Sequence, residues 1–384
     1  MTPASSSKQS NRQPLDEPSP SSLPPPVGAP PEKPAAKRAE DPELVAKIDD
    51  LLKHVGVDST TFNAKLVRDL VQTSLKLIPD GRDTGELKLI TTAVKEMRYA
   101  YRIFGQYPEP HKVSIFGSAR TPTGHPDYIA AKEFGTLMAQ KGWMIITGAG
   151  DGIMKAGHEG PGREASFGVA IRLPFETNAN EVIAGDEKLV YFRYFFTRKL
   201  MFLSQSEAVA LFPGGFGTMD EAFEALTLVQ TGKSSMIPIV MVEGKNQTYW
   251  EEFDHAMRTM LLTRGWISPE DIDLYRIFKT PALAADHIVQ FYRNYHSSRY
   301  VKDDLVIRLK APLKEADVQR LSDEFKILIK QPGATASPSR IVQRGPFEQE
   351  DDHLTLPRLS FPHTRYKFGL IRRLIDRINE CEPA

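Results

Sequence analysis

Residues 206–233, SEAVALFPGGFGTMDEAFEALTLVQTGK, decide how the rest of this chain is read. The segment opens with a short apolar run at 207–212 that Pro213, Gly214 and Gly215 bring to a stop, a pattern that predicts a buried strand. It ends with residues 219–230, which lack Gly and Pro and space Phe223, Leu226 and Thr227 as a helix does. Between the two lies a turn containing Gly214, Gly215, Phe216, Gly217 and Thr218. A glycine-rich turn from strand to helix exposes backbone N–H groups at the positive end of the helix, which suits a phosphate. Thr218 is placed to cap that helix, and Asp220 and Glu221 fall in its first turn. A carboxylate so close to a phosphate cradle is repelled by the ligand, so its presence points to chemistry beside the phosphate. A tight turn ahead of a helix with an acidic first turn gives the same pattern with no ligand at all.

Composition narrows the field. The chain has 384 residues, 41% hydrophobic and 26% charged, enough for two or three ordinary globular domains. Lys plus Arg equals Asp plus Glu at 49 each, so the overall charge favours neither nucleic acid nor a membrane surface. Cys381 is the single cysteine, which excludes a disulfide framework or a cysteine metal site within one chain and fits a reducing compartment. The start of the chain has no apolar core of the signal-peptide kind, and no 18-residue apolar run occurs. The expectation is a soluble, cytoplasmic protein.

Four regions follow one another. Residues 1–41, rich in Pro, Ser, Ala and charge, bury too little apolar surface to offset their ordering entropy and are expected to be a disordered tail. Residues 42–107 carry three stretches of helical spacing. From 108 to 297 strands alternate with helices, the mark of an α/β domain with a parallel sheet and helices on both faces. Strands are expected at 112–116, 143–147, 167–173, 207–212, 237–242 and 275–278, and helices at 127–140, 195–204, 219–230, 248–262 and 281–295. Residues 298–384 read as a small α+β domain of order β-α-β-β-α. Its last helix carries Arg372, Arg373 and Arg377, a solvated basic face or a seat for an anionic effector.

Ligands of open parallel sheets sit beyond the carboxyl ends of the strands. Three loops lie there: Gly117–Arg120, with Ser118; Gly148–Met154, with Gly150 and Gly152; and Pro213–Glu221, which holds the Gly214–Thr218 turn. The middle loop lacks dinucleotide glycine spacing, and no Walker Gly-Lys-Ser/Thr occurs, which disfavours NAD or ATP but not a mononucleotide. Ahead of the turn stand Arg198 and Lys199 among aromatic neighbours. Buried cations need counter-charges, which a structural salt bridge would supply, as would a site pairing Arg198 with Glu221 around a phosphorylated ligand.

Arg198-Lys199 followed by PGGFGTMDE at 213–221 resembles the RK…PGGxGTxxE signature of the Lonely Guy (LOG) family of nucleoside 5′-monophosphate phosphoribohydrolases, often mislabelled lysine decarboxylases. The flanking segments look like those of its longer bacterial members. The resemblance implies a Rossmann-like core that hydrolyses the N-glycosidic bond of a nucleoside monophosphate, AMP-like or a cytokinin riboside monophosphate. It implies Arg198 and Glu221 as catalytic groups, the turn from Gly214 to Thr218 as the phosphate cradle, and Lys199 and Thr227 as ligand contacts. It implies no cofactor, no metal and a homodimer or larger homo-oligomer. Shorter members carry a substrate-contacting glutamate where Asn180 aligns, with Glu176 and Glu181 displaced from it, and Ala149 and Asp151 interrupt a turn that is richer in glycine elsewhere. A reading from another class is a non-catalytic nucleotide or molybdenum-cofactor carrier of the same fold; the Arg198/Glu221 pair argues against it, since a carrier gains nothing from a carboxylate beside a phosphate.

Overall fold

A computed structural model describes residues 41–109, 111–173, 179–332, 339–347, 350 and 352–384. The expected tail, but for Asp41, and Glu176 lie outside them. By their contacts the residues up to Leu87 form one unit and those from Lys88 onward another.

In the first unit Asp41 caps α1 (Pro42–His54) by accepting hydrogen bonds from the backbone of Glu43 and Leu44. Thr61 caps α2 (Phe62–Lys76) in the same way. Ile48, Leu52 and Ala64 form a small shared core, and Arg68 reaches across to Asp49. The third helix, α3 (Thr84–Phe104), begins in this unit and continues into the second.

The second unit is organised by seven short strands: β1 (Lys112–Phe116), β2 (Met144–Thr147), β3 (Ser166–Ile171), β4 (Leu189–Phe192), β5 (Ala208–Leu211), β6 (Ile239–Val242) and β7 (Tyr275–Phe278). They pair in parallel in the order β4-β3-β2-β1-β5-β6-β7. β1, β2, β5 and β6 are buried along their whole length, as parallel strands covered on both faces require. The covering helices are α4 (Pro126–Gln140), α5 (Ile153–Glu159), α6 (Phe195–Ser204), α7 (Phe216–Gln230), α8 (Tyr249–Ala256) and α9 (Pro281–Phe291). Phe104 at the end of α3 stacks on Phe167 of β3, ring centroids 4.5 Å apart. The chain builds outward from β1 to β4, then returns to lay β5 on the other flank of β1. That reversal opens a crevice at the carboxyl ends of β1 and β5.

A four-stranded antiparallel sheet follows, in the order β10-β11-β9-β8, from β8 (Tyr295–Val301), β9 (Asp304–Leu309), β10 (Val342–Arg344) and β11 (Arg358–Pro362). It carries α10 (Glu315–Glu324) and α11 (Phe368–Glu380).

Four expectations change. β4 was not expected. The helix begun at Pro281 ends at Phe291, and Tyr295 opens β8, an unexpected strand that runs through residue 297, where the sequence placed a boundary. Residues 248–262 divide into α8 and a π-helical turn, Met257–Leu262. Finally, the basic face of α11 is solvated at Arg373 and Arg377, which are exposed and pair with Asp273 and with Glu324 and Glu380, but not at Arg372, which is buried against Asp376 and His287.

Candidate active site

α7 begins at Phe216, three residues before the expected Met219, so Gly217 and Thr218 are already helical. Gly215 is the N-cap and offers no side chain, so no side-chain cap satisfies the first N–H groups of the helix. Thr218 therefore does not cap; it is buried inside the first turn. Gly214 packs so closely on it that a Cβ there would lie 2.1 Å from Thr218 Oγ1 and 2.9 Å from Ser118 N. The first and third loops are joined by Ser118 N–H donating to the Pro213 carbonyl at 3.1 Å. Tyr249, which opens α8, donates its hydroxyl to the Gly214 carbonyl at 2.5 Å.

The middle loop is held from beneath. Gly152 at φ +60° lies against the Ser118 and Ala119 backbone, which a Cβ would meet at 2.3 Å. Ala149 adopts φ +62°, a conformation glycine takes more readily, and its N–H donates to Thr147 Oγ1 at 3.0 Å. His158 Nε2 lies 3.0 Å from both Thr147 Oγ1 and the Phe167 carbonyl. Burial holds this imidazole down to about 4, so it stays neutral. Asn180 is buried behind the loop; it donates to the carbonyl of Gly150 at 3.0 Å from its side chain and of Ala149 at 2.8 Å from its backbone. It supports the loop rather than lining the cleft.

The three loops close around one cleft of about 880 Å³. It is lined by Gly117, Ser118, Gly148, Gly150 and Met154, by the turn from Gly214 to Thr218, and by Arg198, Asp220, Glu221 and Tyr249. On the β3–β4 side Ile171, Leu173, Ala179, Tyr191 and Phe195 make an apolar wall. Arg198 is held by its Nε donating to the Val169 carbonyl at 2.9 Å and by the Phe202 ring, 5.1 Å from its Cζ. Gly148 makes room for it: a Cβ there would sit 2.5 Å from Arg198 Nη2. Glu221 is 6% exposed, and its Oε2 is buried with no hydrogen-bond partner among the described residues. Burial pushes its carboxyl up to about 7, with Lys199 and Arg198 pulling it down and Glu224 and Asp220 pushing it further up.

Two residues the resemblance brings to the ligand stand elsewhere. Lys199 binds Asp220 at 2.8 Å and Glu224 at 2.6 Å. Thr227 is exposed, outside the cleft lining, and its carbonyl accepts from the Thr231 hydroxyl. Sequence reading missed Tyr249, Tyr191 and the Thr147–His158 support, and it placed Asn180 against the ligand instead of behind the loop. Tyr249 had a signal: it starts the helix after β6, at the same carboxyl edge. Among the described residues no group of three or more His, Cys, Asp or Glu forms a metal site.

A family model described as possible lysine decarboxylase matches residues 148–288. A cytokinin riboside 5′-monophosphate phosphoribohydrolase from Mycobacterium tuberculosis (strain ATCC 25618 / H37Rv) is 30% identical over 155 residues, spanning 39% of this chain and 79% of that protein. Among solved structures, the molybdenum cofactor carrier protein of Chlamydomonas reinhardtii is 20% identical, with 47% of this chain and 98% of that chain covered at a TM-score of 0.34. The molybdenum cofactor binding protein of Rippkaea orientalis is 19% identical, with 47% and 97% covered at a TM-score of 0.33. With the Arg198-Lys199 and PGGFGTMDE motifs meeting in one cleft and a relative of this identity matched over most of its length, the chain belongs to the Lonely Guy (LOG) family.

Proposed function

We propose that this protein hydrolyses the N-glycosidic bond of nucleoside 5′-monophosphates, releasing the free base and ribose 5-phosphate. One observation carries the reading: an uncapped helix N-terminus and a buried carboxylate stand on the same helix and face the same cleft. Glu221 lies six residues beyond the Gly215 cap, about 9 Å along the axis at 1.5 Å per residue, a separation that suits a sugar bound by its 5′-phosphate.

The amides of the 215–218 turn take the phosphate. That grip is remote from the reacting carbon and positions C1′ beside Glu221. As the C1′–N bond breaks, its electron pair leaves with the base, which takes up a proton, and positive charge develops on the ribose. Ionised Glu221 stabilises that charge or accepts a proton from the attacking water, whose oxygen forms the new bond to C1′. Arg198, fixed by the Val169 carbonyl, holds the nucleotide against the acid and favours Glu221's charged form. The apolar wall of Ile171, Leu173, Tyr191 and Phe195 receives the base. The protein works as a homo-oligomer in this reading, since Phe216 at the cleft stands 97% exposed and Phe195 and Phe196 are also open.

Incubation with AMP, with an N6-prenylated adenosine monophosphate and with the other common nucleoside monophosphates, followed by chromatography, is expected to show free base with an equal amount of ribose 5-phosphate. Tight nucleotide binding with no base released from any of them would overturn the reading and favour a carrier.

A further inference from the structure

Lys199 is out of place for a residue expected to touch the ligand. Its side chain is 13% exposed and its ammonium is held by carboxylates of α7, Asp220 Oδ2 at 2.8 Å and Glu224 Oε2 at 2.6 Å. The third carboxylate of that stretch, Glu221, approaches to 3.9 Å, too far for a hydrogen bond but well inside the range of an electrostatic interaction. Asp220, Glu221 and Glu224 lie on one side of α7 because residues three and four apart share a helix face. Lys199 reaches them from α6, one position after Arg198. The charged groups acting on Glu221 come from these two helices: Arg198 and Lys199 from one, Asp220 and Glu224 from the other.

We infer that Lys199 is a positioning residue that acts through Glu221: by gathering three carboxylates about one cation it keeps Glu221 chargeable in a buried site, without itself binding the nucleotide. The consequence for catalysis rests on the phosphoribohydrolase reading above; the electrostatic role does not. Two neighbouring acids would otherwise push Glu221 toward its neutral form, and burial already does so. The ammonium stays charged: burial works against it, but the bonds to Asp220 and Glu224 outweigh the penalty and raise its pKa. Lys199 makes its short bonds to Asp220 and Glu224 and stays 3.9 Å from Glu221 Oε2, which has no hydrogen-bond partner among the described residues and remains available to a substrate or a water.

The test is a carboxyl titration of protein labelled with 13C in glutamate, the Glu221 signal being the one lost in Glu221→Gln, run beside pH profiles of kcat/KM for AMP. Lys199→Gln is expected to raise the Glu221 midpoint by about one pH unit or more and to move the acid limb of the rate profile with it. Lys199→Arg should restore both. Glu224→Gln, at a half-exposed position that leaves the fold unthreatened, should move the midpoint the other way, because it removes a negative neighbour. An unmoved midpoint in Lys199→Gln, with a large loss of nucleotide affinity, would overturn the inference and return Lys199 to ligand contact. If the wild-type protein released no base the function reading would fail, yet the titration would still decide the role of Lys199.

Discussion

At the scale of single residues the site turns on one ionisation. Glu221 must be charged to act, and its carboxyl stands at about 7 instead of the ordinary 4.5 because it is buried. Base release should therefore rise with pH through about 7. Glu221→Gln should abolish turnover while nucleotide affinity stays near that of the wild type, since size and fold survive and only the charge is lost. The same shift has a cost in stability. An acid whose folded pKa lies above its unfolded value contributes stability below about 4.5 that is lost as pH rises through about 7. Above that point the ionised, buried Glu221 costs about 3 kcal/mol. Thermal or urea unfolding should thus show Glu221→Gln more stable than wild type at pH 8, the gain shrinking to near zero at pH 4.5. Equal stability across this range would mean that the carboxyl is not desolvated. A side chain retained against stability in this way fits a catalytic demand.

At the scale of elements, the N-terminus of α7 is an anion seat only while its first turn stays bare and tightly folded. Gly214 and Gly215 play different parts in this. A Cβ at Gly214 would collide with Thr218 and with the Ser118 backbone, whereas one at Gly215 meets nothing within 4 Å. Gly214→Ala should spread the two loops apart, raising KM for AMP at least tenfold and lowering Tm by a few degrees. Gly215→Ala should leave Tm unchanged. If both lowered Tm equally, the turn would be a folding device rather than a binding one. The strand–turn–helix frame was legible because every strand of the parallel sheet except β4 is a short, mainly apolar run with a Gly or Pro stop close behind it. Three pieces were hidden, each for a physical reason. The first turn of α7 is Phe-Gly-Thr, poor in helix propensity, and it is fixed by Tyr249 and by packing under Gly214, contacts from elsewhere in the chain. β4 is a four-residue strand with Tyr191 turned outward, too short to show a period. β8, with its His, Ser, Ser and Arg, reads as linker until β9 supplies a partner from Val301↔Asp304 to Tyr295↔Leu309. The Arg198, Glu221 and Gly214–Thr218 parts of the site were carried by local motif. His158 and the supporting role of Asn180 were not, because their work is done through hydrogen bonds between segments distant in sequence.

At the scale of the whole chain, the C-terminal sheet rests on a charge cluster that composition does not reveal. Arg358 on β11 and Arg308 on β9 are 0% and 4% exposed, and both grip Glu350. Arg358 Nε lies 2.7 Å from Oε2 and Arg308 Nη2 2.9 Å from Oε1. The same carboxylate accepts from Phe347 N–H at 2.9 Å, so the loop before β11 is tied to two strands at once. Burial alone would raise the Glu350 pKa, but hydrogen bonds from Arg358, the Phe347 backbone and Arg308 outweigh it and bring the carboxyl down to about 2. A carboxylate lowered in this way contributes stability above its unfolded pKa, near 4.5, and loses it as pH falls through about 2. Glu350→Gln leaves the buried Arg358 guanidinium without its counter-charge and Arg308 with Asp352 alone, a change that costs about 3–5 kcal/mol where a buried pair is broken from one side. The expected result is a fall in Tm at pH 7 that narrows between pH 4.5 and 2, because the wild type surrenders the same interaction there and the variant has none to lose. A variant that kept wild-type stability at neutral pH would show that packing, not charge, joins β9 to β11.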